Sequence, residues 1–125
     1  MRETVHTDQA PEAIGPYSQA VKTDRLIFTS GQIAIAPETS QLVPGDVREQ
    51  TRQVMKNLQA VLKAAGSSLT QVVKATVFLA DIRDFAAFND VYATYFSSDP
   101  PARSAFQVAA LPLGALVEVE MVALS

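Results

Sequence analysis

The chain has 125 residues, 48% apolar and 18% charged, a mix that supports one packed core and lies far from the composition of disordered segments. It contains no cysteine, which excludes disulfides, thiolate nucleophiles, zinc–thiolate sites and iron–sulfur ligation. Ten basic against thirteen acidic residues leave a net charge of −3 without a Lys/Arg stripe, which argues against nucleic acid as a partner.

The N-terminal segment, MRETVHTDQAPEAIGPY, spreads its charges and has no apolar h-region, so neither a secretory signal nor a transit peptide is expected and a cytoplasmic location is the default. The only histidine, His6, falls here in a short polar strand, which leaves no histidine-based triad or two-histidine metal site to be built. Residues 25–35, RLIFTSGQIAI, are rich in β-branched and aromatic types and read as a strand, and 17–22 are expected to pair with 25–30 as a short hairpin. From Asp46 to near Gly66, Val47, Val54, Leu58, Val61, Leu62 and Ala65 recur at helical spacing, and this predicts an amphipathic helix. Asp46 followed by Glu49 resembles a capping box, and Gly66 can take the left-handed conformation that ends a last turn.

A strand over 72–80, VVKATVFLA, comes next. A second helix opens after Asp81 or Asp84 and runs to about Ser97, where SSDPP stops it; its Phe85, Phe88, Val91, Tyr92, Tyr95 and Phe96 read as core packing. Residues 103–110 form a weaker strand and 116–124, LVEVEMVAL, a cleanly alternating one. The apolar tract 104–124 is broken by Gln107, Pro112, Glu118 and Glu120, so no membrane helix of roughly 20 apolar residues is expected. The order β-β-α-β-α-β-β over a single domain, 1–125, fits an α+β two-layer sandwich with two helices on one face of one mixed sheet.

Alternation in 116–124 sends Val117, Val119, Met121 and Ala123 under the helices and Leu116, Glu118, Glu120 and Val122 to the other face. Neighbouring strands add Phe28 and Phe78 there. Such a face is too apolar for water and too polar for a monomer core, and it predicts a homo-oligomer with a site in its interface.

Arg103, in DPPARS, stands at a loop-to-strand junction, where its planar fork can bind a carboxylate or phosphate bidentately or serve as a surface ion pair. Glu118 and Glu120 share a strand face where a carboxylate can orient or deprotonate water, or simply be solvated. Tyr17 follows the rigid Gly15-Pro16 turn, and Gly31, beside Ser30, lets backbone approach something closely. Asn89, among aromatics in the second helix, needs a partner if buried and reads as a support for the site at most. No Gly-rich phosphate loop occurs, so no nucleotide cofactor is expected.

The blocks AIGPYSQAV (13–21), FTSGQIAI (28–35), VVKATVFLADIRDFAAFN (72–89) and PPARSAFQVAALPLGALVEVEM (100–121) together resemble the RidA/YjgF family of imine deaminases, also described as endoribonuclease L-PSP-like, across nearly the whole chain. The resemblance implies a chorismate-mutase-like fold, a homotrimer with three interfacial clefts, and hydrolysis of 2-iminopropanoate and 2-iminobutanoate to 2-keto acids and ammonia without metal or organic cofactor. It further implies that Arg103 grips the substrate carboxylate and Glu118 holds the attacking water, that Tyr17, Ser30 and Gly31 line the cleft, and that the main chain at Ala105 meets the imine nitrogen. Many members carry cysteine where Ala105 stands, so thiol chemistry at that position is absent here. Two other readings are a small-carboxylate binding module without turnover, and a ribonuclease; against the latter stand the missing histidine pair and basic groove.

Overall fold

The computed structural model describes residues 1–125. Eight strands and two helices follow one another as β1 (Glu3–Val5), β2 (Ala20–Lys22), β3 (Leu26–Thr29), β4 (Ile35–Ala36), β5 (Gln41–Leu42), α1 (Val47–Ala64), β6 (Val72–Leu79), α2 (Phe85–Tyr92), β7 (Ala102–Gln107) and β8 (Val117–Leu124). Six strands form one sheet in the order β1-β2-β3-β8-β6-β7, and β4 with β5 makes a separate small hairpin. All pairings in the large sheet are antiparallel except β6 with β7, whose connection is the crossover that contains α2.

The helix α1 starts where the sequence predicts. The Asp46 carboxylate accepts hydrogen bonds from the backbone N–H groups of Arg48 (3.0 Å) and Glu49 (3.2 Å), satisfying two donors that the first turn leaves open. The reciprocal half of the capping box does not form. Glu49 instead pairs with Arg52 at 3.3 Å and packs against Gly45, whose φ of +112° places it in the left-handed region. The inner stripe of α1, with Val54, Met55, Leu58, Val61 and Leu62 fully buried, meets Ile27, Val77, Val117, Val119 and Met121 of the sheet and Phe88 of α2 in one core. Each such aliphatic side chain removed from water contributes about 1.5–3 kcal/mol.

Three expectations need correction. The strand predicted over 25–35 stops at Thr29: Ser30-Gly31 leaves the ladder, Gln32 makes an isolated bridge to Val119, and Ile35 pairs with Leu42 instead. The strand predicted over 103–110 ends at Gln107, and a 3₁₀ turn over Pro112–Gly114 leads into β8. Leu116, assigned to the open face, precedes β8 and is half-buried against the core, its N–H donating to the Gln50 side-chain oxygen at 2.9 Å. The second helix keeps its predicted extent only as a composite, a 3₁₀ turn over Ile82–Asp84, then α2, then a 3₁₀ turn over Ala93–Tyr95.

The second sheet face has no helix over it. Phe28 pairs in register with Val122, and Phe78 with both Glu118 and Phe106, so these side chains share that face; Phe28 and Phe106 are 45% and 44% exposed. Phe78 and Phe106 meet edge to face at 5.4 Å.

Candidate active site

Two polar clusters hold the residues singled out from sequence, and within one chain they lie apart. Residue 78 is in register with Glu118 and residue 75 with Arg103. Side chains an odd number of positions apart on a strand point oppositely, so Glu118 occupies the open face and Arg103 the helix face.

Arg103 is half-buried on the edge strand β7. Its Nη1 donates to Asn89 Oδ1 at 2.7 Å, and its guanidinium carbon lies 5.0 Å from the Tyr92 ring centroid, 5.4 Å from Phe85 and 5.9 Å from Phe88. The aromatic stripe therefore does two jobs: Phe88 and Tyr92 pack in the core, and their ring faces also hold a cation. The chain's ion pairs do not include Arg103, so its charge is held by a neutral amide and three rings rather than spent on a carboxylate. Burial pushes the Tyr92 phenol above the usual range, with the Arg103 charge opposing, and its hydroxyl has no hydrogen-bond partner. Pro100 and Pro101 help line a shallow cavity against this group. Ala105 follows two residues on, on the same face and half-buried against the core.

The other cluster surrounds a cavity of about 540 Å³ lined by Tyr17, Ser30, Gly31 and Glu118 on its polar side. Gly15, at φ +125°, turns the chain so that the Tyr17 hydroxyl accepts from the Ile14 N–H at 3.2 Å. The Ser30 hydroxyl donates to the Ser18 carbonyl at 2.5 Å; with its proton committed, it offers the cavity lone pairs. Glu118 lies directly over Gly31. A Cβ there would collide with Glu118 Oε2 and stand 2.9 Å from its Cδ. Partial burial raises the Glu118 pKa, and the neighbouring Glu120 charge raises it further. Gly31→Ala is therefore expected to displace the carboxylate and cut turnover at least tenfold while the melting temperature changes little; wild-type turnover in the folded variant would remove Gly31 from the site.

Sequence reasoning missed the apolar lining of this cavity, Ile14, Ile33, Ile35, Pro112 and Leu113, and the ring faces around Arg103. A leucine between Pro112 and Gly114 in a tight turn, where polar residues are usual, was the available signal. No group of three or more His, Cys, Asp and Glu side chains is placed to hold a metal ion, and no helix is long and apolar enough to cross a membrane.

The chain is thus a small α+β domain with an unpaired arginine on one sheet face and a carboxylate over a glycine on the other. The chain belongs to the endoribonuclease L-PSP family, that of RidA and YjgF: the family model matches residues 7–125. A goat (Capra hircus) protein named 2-iminobutanoate/2-iminopropanoate deaminase is 57% identical over 123 residues, covering 98% of this chain and 90% of its own. The crystal structure of RidA from an Antarctic Psychrobacter is similar with a TM-score of 0.95 at 46% identity, covering 98% of this chain and 99% of the other. That of Escherichia coli TdcF with bound serine has a TM-score of 0.94 at 41% identity and covers 98% of both.

Proposed function

We propose that the protein is a 2-imino acid deaminase, hydrolysing 2-iminobutanoate, 2-iminopropanoate and similar imines to 2-keto acids and ammonia in the cytoplasm. The observation that carries this reading is Arg103, a guanidinium fixed by Asn89 and three rings with no carboxylate of its own. Such a group is ready for the substrate carboxylate, since its alignment is already set and no internal ion pair must break. The relatives named as 2-iminobutanoate/2-iminopropanoate deaminases, at up to 57% identity, support the same chemistry.

The protonated imine carbon is already electrophilic. Glu118, when ionised, takes a proton from a water as its oxygen bonds to C2; that proton passes to nitrogen, and as the C–N bond breaks Glu118 takes the remaining hydroxyl proton, so the C=O of the keto acid forms and ammonia leaves, the proton then going to the ammonia or to solvent. Ser30, with its hydroxyl proton committed to Ser18, can accept from the imine N–H, and the main chain near Ala105 is a second contact for that nitrogen. No step calls for a cofactor.

Because Arg103 and Glu118 face apart in one chain, one substrate can meet both only across an interface, and the uncovered face with Phe28 and Phe106 supplies the surface for it. The reading is a chorismate-mutase-like homotrimer with three shared clefts. Sedimentation equilibrium at micromolar concentration should give three times the 13.4 kDa chain mass; a monomer mass would remove the shared cleft. The same separation is what a carboxylate-binding module without turnover would have if the two clusters never meet. Imines generated in situ decide: faster ammonia release supports the deaminase, and binding without it supports the module.

A further inference from the structure

Ile14 at 76% exposed and Leu113 at 70% are the two most exposed large apolar side chains in the chain, and both stand on the rim of the cavity that holds Glu118. Scattered exposed aliphatics are ordinary, but two at one cavity mouth mark a surface that something apolar meets. Leu113 also adopts φ 58° and ψ 20°, the left-handed region, where a leucine is strained and a glycine or asparagine is not. Neither burial nor backbone geometry accounts for a leucine there. Strain of this kind, held at a cavity mouth, is the pattern of a functional position. Ile33 and Ile35 continue the apolar wall inward from the rim.

We infer that Ile14 and Leu113 form an aliphatic rim that selects the substrate side chain, favouring 2-imino acids with hydrocarbon chains longer than a methyl group over those with acidic ones. Glu118 and Glu120 on the same face repel an acidic side chain and strengthen that preference. This rests on the deaminase reading. One methylene more or less in a hydrophobic pocket changes specificity by about 10–200-fold, and an open rim belongs at the low end of that range.

The test compares kcat/KM for imines generated in situ from leucine, alanine and glutamate, in the wild-type protein, Leu113→Asn and Leu113→Gly. Asparagine keeps the left-handed backbone and the same branched heavy-atom skeleton while making the rim smaller and polar; glycine removes the wall. The wild-type order should be leucine above alanine above glutamate, and the leucine-to-alanine ratio should fall about tenfold in both variants, expressed in KM. A wild-type protein that accelerates none of the three overturns the deaminase reading and the rim with it. Wild-type turnover with a ratio unmoved in both variants overturns the rim alone, as does a changed assembly mass in either variant, which would make Leu113 a subunit contact.

Discussion

Arg103→Ala is expected to lower kcat/KM for imine hydrolysis by about 10²–10³ while the chain stays folded. Two charge-assisted hydrogen bonds to a carboxylate in a partly desolvated cleft contribute about 3–4 kcal/mol together, and each 1.4 kcal/mol is tenfold. Arg103→Lys should recover little of this. An ammonium keeps the charge, but it cannot accept the alignment that Asn89 Oδ1 and the Tyr92, Phe85 and Phe88 rings impose on a planar fork, so the substrate C2 is no longer aimed at its water. The fold should survive both changes, since Arg103 is half-buried at a sheet edge and its loss strands only the Asn89 amide, at a cost of about 1 kcal/mol. Imine hydrolysis measured beside thermal melting and assembly mass checks this. A folded variant with wild-type turnover would sink Arg103 as the carboxylate anchor.

Glu118→Gln should retain carboxylate binding and lose about 10²–10⁴ in kcat, because the amide can hold a water but cannot take its proton. The pH dependence is specific. Burial first, and then Glu120, hold the Glu118 pKa above the ordinary carboxylate range, so wild-type activity should fall as pH drops through that raised value, and the residual rate of the Gln variant should not. For stability the sign is opposite. A folded-state pKa above the unfolded one favours folding below the unfolded pKa, and that contribution is lost as pH rises through the folded pKa. Above that raised folded-state pKa the ionised Glu118 therefore weakens the fold, and there Glu118→Gln should melt no lower than wild type, with any advantage closing as pH falls below it. Glu120→Gln serves as the control and should spare kcat while shifting the acid limb downward. Damage from that change instead would misplace the base.

Much of this was legible in the sequence because period and punctuation carry it. The helical spacing from Val47 to Leu62, the Asp46 cap and Gly66 at φ +85° agree with α1, and the alternation of β8 places Glu118 beside Phe78 on the open face as read. Strand ends were less legible. Ser30-Gly31 looked like the continuation of a strand because its flanking residues favour strands, yet the ladder ends at Thr29 and the Glu118 carboxylate lies over Gly31, a tertiary contact that local propensity does not encode. Asn89 was visible as a polar residue needing a partner, but its partner lies across the crossover on β7, and no local pattern encodes that register. The opposed directions of Arg103 and Glu118 follow from the parallel pairing of β6 with β7, a long-range fact that alternation within each strand cannot supply.

That parallel pairing also divides the molecule by the order in which it can assemble. Asn89 and Arg103 are 14 positions apart inside one strand–helix–strand unit, whereas the frame around Ser30 and Glu118 closes through contacts such as Thr29 with Met121, 92 positions apart. Closing the longer loop costs about 1.7 kcal/mol more in chain entropy, so the Arg103 cradle rests on contacts between nearby residues, whereas the frame around Glu118 requires the two ends of the chain to meet. Local opening of the β3–β8 seam would thus extinguish turnover while leaving the arginine cradle intact.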